Sequence, residues 1–352
     1  MYNICGIQQI GIGCANVAAS WKWYRQFFGM DVPVFNEEAE AKLMLRYTEG
    51  KPQARHAVLA VNMQGGGGFE IWQYTGRTPQ PPAFDILWGD TGIYAAKIKT
   101  PDAEKSFSDF GEMDGEILSE EIEISPIGEK YFWMRDPFGN IFQIVEAKDW
   151  FQRNGKNTGG AYGAVIGTTQ IDRMTEFFKD VLNYDVVAYK RKDVFHDTKC
   201  LPGGSNPCER VLLRHSAPRK GAFAPLLGAS EIELVQVFDR TPRKIFENRL
   251  WGDLGFIHLC FDVRGMDGLQ YKCTDAGFPF TVDTANSFDM GEAAGRFAYI
   301  EDPDGTLIEF VETHKVPILK PIGWYLDLTK RNPEKSLPRL VIQAMGLNRV
   351  RD

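Results

Sequence analysis

Along the chain the apolar residues switch between two spacings. In "NVAASWKWYRQFFGM" Trp21, Tyr24, Phe27 and Phe28 recur every three or four residues, as do Met174, Phe177, Phe178, Val181 and Leu182 in "DRMTEFFKDVLNYD". That is the spacing of one helix face, and each stripe predicts an amphipathic helix resting on a core. A strand-like stretch stands ahead of each, "GIQQIGIGC" and "AYGAVIGTT", and short stretches of alternating polarity follow, which predict strands. A further strand–helix start comes near residue 92 and another near 255. The pattern therefore predicts a β-α-β-β-β unit written four times.

The units are grouped by a longer repeat. "YFWMRDPFGNIFQIVEA" at 131–147 and "FAYIEDPDGTLIEFVET" at 297–313 share an aromatic-rich strand, an Asp-Pro-X-Gly turn and a second strand ending in Val-Glu. "FEIWQYTGRTP…LWGDTGIYAAKI" at 69–98 matches "IELVQVFDRTP…LWGDLGFIHLCF" at 232–261. Glu70 precedes Arg77 by seven residues and Trp88 by eighteen, and Glu233 precedes Arg240 and Trp251 by the same intervals. Such agreement is hard to reach by chance, and it marks a tandem duplication with a period near 163 residues.

The openings that end in "FFGM" and "VLNY", together with "RDPFGNIFQIVE" and "EDPDGTLIEFVE", resemble the vicinal oxygen chelate superfamily, that of glyoxalase I, bleomycin-resistance proteins and the extradiol dioxygenases. The likeness covers roughly residues 5–314. It implies an α+β fold in which βαβββ modules pair, each pair forming a curved mixed-sheet cradle with helices on the outside and a divalent metal in the hollow. On this reading residues 1–150 form an N-terminal two-module cradle, 151–314 a C-terminal one, and 315–352 an extension. In the extension, Ser336 stands near the N-cap of a closing helix, Pro338 falls in its first turn, and Leu340, Val341, Ala344 and Met345 give it an apolar face.

In such a fold the metal ligands come from the first and last strands of two paired modules. In the second half those columns read Gly163, Glu233, His258 and Glu309, and in the first half Gln9, Glu70, Ile93 and Gln143. The resemblance thus implies a live metal site of Glu233, His258 and Glu309 in the second cradle and a degenerate first cradle. Glu231 lies on the same strand face as Glu233 and is the alternative inward residue. The chemistry supports such a set independently. Two carboxylates buried in one hollow repel, at a cost of several kcal/mol each without a partner. A divalent cation removes both penalties, and an imidazole completes a mixed N/O site suited to Zn, Fe, Mn, Ni or Co.

The function implied is that of a metal-dependent, glyoxalase-like isomerase or lyase. Glu309 or Glu233 would take a proton from a small α-oxygenated carbonyl compound chelated through adjacent oxygens. The alternatives are an Fe(II)-dependent extradiol-type dioxygenase, whose first His would fall where Gly163 stands, and a non-catalytic protein of the same fold that binds a small molecule.

Composition narrows the partners. A net charge of −7 disfavours nucleic acid, and no apolar run approaches the roughly 20 residues of a membrane span. No secretory leader is evident in "MYNICGIQQIGIGCANV". None of the six cysteines forms a CxxC pair, and Cys200 and Cys208, which flank "LPGGSNP", are expected as free thiols in a cytoplasmic protein. A small-molecule substrate is the expected partner, and a homodimer is compatible with the pattern.

Arg77 and Arg240 are expected to pin the connections between modules through carbonyls or the Asp of "WGD". His196 and His215 are candidates to enter the second cradle, and His314 has the wrong strand parity to do so. The run "GGGG" at 65–68 precedes a strand rather than a helix, which makes it a turn and not a phosphate loop.

Overall fold

The computed structural model describes residues 2–284, 288–290, 293–319 and 323–351. Module 1 runs β1 (Asn3–Gly13), α1 (Val17–Phe28), β2 (Val32–Ala41), β3 (Gln53–Val61) and β4 (Gly68–Tyr74). Module 2 contains β5 (Gly92–Thr100), α2 (Ala103–Glu112), the short β6 (Glu116–Ile117) and β7 (Glu123–Ile124), β8 (Lys130–Arg135) and β9 (Ile141–Glu146). Module 3 has β10 (Ala161–Gly167), α3 (Ile171–Leu182), β11 (Val186–Asp193), β12 (Cys208–Arg214), α4 (Ala224–Leu227) and β13 (Glu231–Val237). Module 4 has β14 (Gly255–Arg264), α5 (Met266–Asp275), β15 (Val282–Asp283), β16 (Phe288–Met290), β17 (Ala293–Glu301) and β18 (Leu307–Leu319). The extension supplies β19 (Trp324–Asp327) and α6 (Arg339–Ala344). Among the described residues no helix is long and apolar enough to cross a membrane.

The predicted helices form for the reasons their sequences suggest. Asn16 caps α1 by accepting the Ala19 amide, and Gly29 ends it in the left-handed region, where its N–H bonds the Arg25 carbonyl. The helix buries Trp21, Tyr24, Phe27 and Phe28, while α3 buries Met174, Phe177, Phe178, Val181 and Leu182. These stripes meet in one core shared by both sheets. The Tyr24 ring lies 5.1 Å from Phe69 of β4 and 6.1 Å from Phe142 of β9. Alternation along each strand then sends every second side chain to the opposite, concave face.

The modules pair, but not with their chain neighbours. One sheet has the order β15-β17-β18-β14-β1-β4-β3-β2, which joins module 4 to module 1. The other runs β11-β12-β13-β10-β5-β9-β8-β6, which joins module 3 to module 2. Cradles confined to 1–150 and 151–314 are therefore not what forms: each crosses that boundary, with modules 2 and 3 nested between modules 1 and 4. The seam of the first cradle is the antiparallel pair β1–β14, from Asn3 opposite Arg264 to Gly13 opposite Gly255.

The two arginines act in the pinning role expected of them, but crosswise. Arg77 donates to Asp253 at 2.7 Å and Arg240 donates to Asp90 at 2.5 Å, so each half grips the Leu-Trp-Gly-Asp turn of the other. Gly13 and Gly167 permit this, because a Cβ on either would stand 1.9 Å from the carbonyl oxygen of Asp253 or Asp90.

The extension differs in detail from expectation. Strand β18 crosses residue 314, and β19 pairs with it, Lys315 opposite Asp327. Pro338, not Ser336, occupies the N-cap of α6. The buried side is Ile342 and Met345, packed with Val32, Val61 and Leu226, while Leu340 is 79% exposed.

Candidate metal centre

Four side chains converge on the concave face of the first cradle. Glu70 on β4 alternates with Phe69 and Ile71, and Glu309 on β18 alternates with Ile308 and Phe310; these apolar neighbours enter the shared core and turn both carboxylates the other way. The first strands of modules 1 and 4 supply Gln9 and His258. In each strand a register shift precedes the polar residue: the pairing of β1 with β14 skips Gln8 and Ile257. Bulges of this kind re-aim the following side chain. Gly11, opposite His258, leaves room for the imidazole, since a Cβ there would lie 2.4 Å from Cε1.

The arrangement has a local two-fold. Gly11 sits beside Glu70 on the neighbouring parallel strand and Cys260 sits beside Glu309, so Gln9 and His258 occupy equivalent places two residues earlier. His258 Nε2 lies 3.0 Å from Glu309 Oε2 and 3.4 Å from Glu70 Oε2. Gln9 Nε2 donates to the same two oxygens, at 3.2 Å to Glu70 and 3.3 Å to Glu309. Donor atoms of Glu70, His258 and Glu309 all fall within 4.8 Å of one another. The Trp251 ring lies parallel to the imidazole with centroids 6.3 Å apart, and Tyr299 meets it edge-on at 5.6 Å.

These residues fit a divalent cation. His258 is fully buried, yet neither ring nitrogen makes an aligned hydrogen bond, and Gln9 Oε1 is buried without a partner. Exchanging the two ends of the Gln9 amide would turn that oxygen toward the carboxylates. The donor set is one imidazole, two carboxylates and one amide, hard and mixed as first-row divalent ions prefer. Burial alone would lower the His258 pKa, but the carboxylate of Glu309, and then that of Glu70, outweigh it and raise it to about 9. Without an ion, the imidazolium partly balances the two negative charges.

Glu233 is not part of this centre. It lies on β13 in the other cradle, where Arg210 Nη2 approaches it at 2.6 Å, Lys97 Nζ at 2.9 Å, and the Tyr189 hydroxyl donates to it at 2.7 Å. Burial would raise its pKa, yet Arg210 and then Lys97 hold the carboxyl down at about 2. Glu231 also turns inward, bound by Lys97 at 2.5 Å and Arg214 at 2.6 Å. The ligand columns here read Gly163, Glu233, Ala95 and Gln143. Lys97 pairs with Gln143 as Cys260 pairs with Glu309, which puts Ala95, and not Ile93, in the place of His258. This cradle carries fixed ammonium and guanidinium groups where the other has an opening for a cation.

The remaining histidines stand elsewhere. His196 begins a short turn, and His215 accepts from the Ser230 amide; burial holds its pKa down at about 4. His314 lies 3.5 Å from Glu312, outside the centre. The six cysteines are free thiols. Glu70 and Gln9 were the residues that the expected site lacked; the sequence shows both in ligand columns of the first module, but Glu233 in the third module is an equally strong candidate by residue type, so the columns alone do not choose between Glu70 and Glu233.

A model of the Glyoxalase/Bleomycin resistance protein/Dioxygenase superfamily matches residues 6–144 and again 163–310. The chain belongs to this superfamily. Among solved structures, a glyoxalase I mutant from Zea mays is similar with 14% identity and a TM-score of 0.54, covering 87% of this chain and 93% of that one. A putative dioxygenase from Bacillus subtilis is similar at 13% identity and a TM-score of 0.54, covering 88% and 86%. At these identities the likeness is one of fold. No curated protein sequence matches the chain. Each half that matches the superfamily spans two modules, whereas the four convergent side chains come from different halves.

Proposed function

We propose that Gln9, Glu70, His258 and Glu309 hold one divalent cation, and that this superfamily member is a metal-dependent, glyoxalase-like isomerase or lyase acting on a small α-oxygenated carbonyl compound. The observation that carries this reading is the convergence of two carboxylates, an imidazole and an amide from two modules: Gln9, Glu70 and Glu309 line a pocket of about 360 Å³, and His258 lies buried against the two carboxylates. A bound ion would act there as a Lewis acid toward two adjacent oxygens of the substrate. Glu70 and Glu309 come from strands on opposite sides of the β1–β14 seam, and one of the two carboxylates would take the proton from the carbon beside the carbonyl. Trp251 lies parallel to the His258 imidazole and Tyr299 meets it edge-on, which restricts the plane of the ring. The two-His, one-carboxylate set of the extradiol dioxygenases finds less support, because His258 is the one histidine of the cluster.

The test is the metal content of untagged protein purified without chelator, for wild type, His258→Ala and Glu70→Ala. Near one ion per chain in wild type, lost in both variants, is the expected result. Wild type that stays empty after addition of Zn, Mn, Fe, Ni and Co in turn would sink the reading.

A further inference from the structure

The walls above the four ligands say what the substrate carries besides its two oxygens. We infer that the pocket takes compounds whose chelating oxygens bear an aromatic or similarly bulky apolar substituent, an inference that rests on the metal reading above. Each glutamate has an apolar or aromatic cross-strand neighbour: Leu59 faces Glu70, and Tyr299 faces Glu309. Trp72 follows Glu70 by two residues on the same strand face and meets Trp251 edge to face at 4.7 Å. Phe35 and Phe297 extend the lining outward. A substituent leaving the chelated oxygens therefore meets hydrocarbon and ring surface at once.

Charge is arranged to exclude the opposite choice, a small head on an anionic tail. Among the described residues the cations lining this pocket are Lys42 and Arg55. Arg55 is largely buried and already bound to Glu37 at 3.0 Å, with a second bond to the Glu37 carbonyl. Lys42 is 72% exposed at the mouth and faces Glu40 at 3.7 Å. A tail carboxylate would have to displace Glu37 to reach a buried cation, whereas an aryl group displaces only water from apolar walls.

Two hydroxamates isolate this contribution, because both chelate through the same pair of adjacent oxygens and differ only in phenyl against methyl. Protein loaded with Mn(II), or with whichever ion the metal-content measurement identifies, is titrated calorimetrically with acetohydroxamate and benzohydroxamate. Burial of the ring predicts benzohydroxamate tighter by about 30-fold. Leu59→Gln or Phe297→Ala, whichever retains the ion, should shrink that ratio several-fold. Equal affinities, a preference for acetohydroxamate, or loaded protein that binds neither compound would each overturn the inference while leaving the metal site standing. Protein that takes up no ion fails earlier, at the metal-content step, and removes both.

Discussion

Replacing Glu233 with glutamine separates the two cradles in one experiment. Its carboxylate pKa is about 2, against an ordinary value of 4.5, because Arg210 and Lys97 outweigh the cost of burial. At about 1.4 kcal/mol per pH unit, that difference makes the ionised form worth roughly 3 kcal/mol to the folded state. The folded pKa lies below the unfolded one, so the contribution is complete above pH 4.5 and is lost as pH falls toward 2. Between those values the unfolded chain takes up a proton that the folded chain refuses. Urea unfolding of wild type and Glu233→Gln at a series of pH values should show a gap of roughly 3 kcal/mol at neutral pH that closes toward pH 2. The variant should also keep the metal content of wild type. A gap that stays constant with pH would refute the electrostatic account. Loss of the ion in the variant would return Glu233 to the ligand set.

Two further outcomes follow from the same geometry. Lys97→Met leaves Glu231 and Glu233 with Arg214 and Arg210 as their only remaining cations among the described residues, and should cost about 3 kcal/mol in denaturant unfolding; a neutral substitution would mean the cluster is not coupled. Gly13→Ala drives a Cβ to 1.9 Å from the Asp253 carbonyl and should cost about 3 kcal/mol or prevent folding, while Gly76→Ala, whose Cβ would stand 3.7 Å from its nearest neighbour, should stay within about 0.5 kcal/mol by the same assay.

Much of the fold could be read in the chain, because helix stripes and strand alternation are local patterns. Trp21, Tyr24, Phe27 and Phe28 pack as their spacing implies, and so does the α3 stripe. The partner of each module could not be read the same way. Every module offers a first strand with an open edge, and strand propensity does not distinguish β14 from β5 as the neighbour of β1. The deciding contacts are long-range: Arg77 with Asp253, Arg240 with Asp90, and a continuous β1–β14 register.

That gap explains the error at the site. His258 and Glu309 stand in one cluster, but the second carboxylate there is Glu70 from the other half, not Glu233. The assignment of Ile93 slipped by two positions against the 163-residue spacing, which leads from His258 to Ala95. The bulges at Gln8 and Ile257 depend on the strand opposite and leave no mark in a single sequence. What the sequence did hold was complementarity. Gln9 with Glu70, and His258 with Glu309, are two halves of one set kept in different repeats.

The nesting of modules 2 and 3 between modules 1 and 4 has a consequence for biosynthesis. Glu70 and Glu309 are 239 positions apart in the chain, so at 5–20 residues per second their codons are translated roughly 10–50 s apart. The inner pair can close as soon as β13 clears the ribosome. The outer pair must wait with the edge of β1 uncovered, and this is the pair in which Glu70, His258 and Glu309 meet. A nascent chain stalled between β13 and β14 would hold a finished cradle with no opening for an ion and half of the other. In such a protein the last segment made decides whether any of the earlier chain can work, and the exposed β1 edge is where a chaperone would find it.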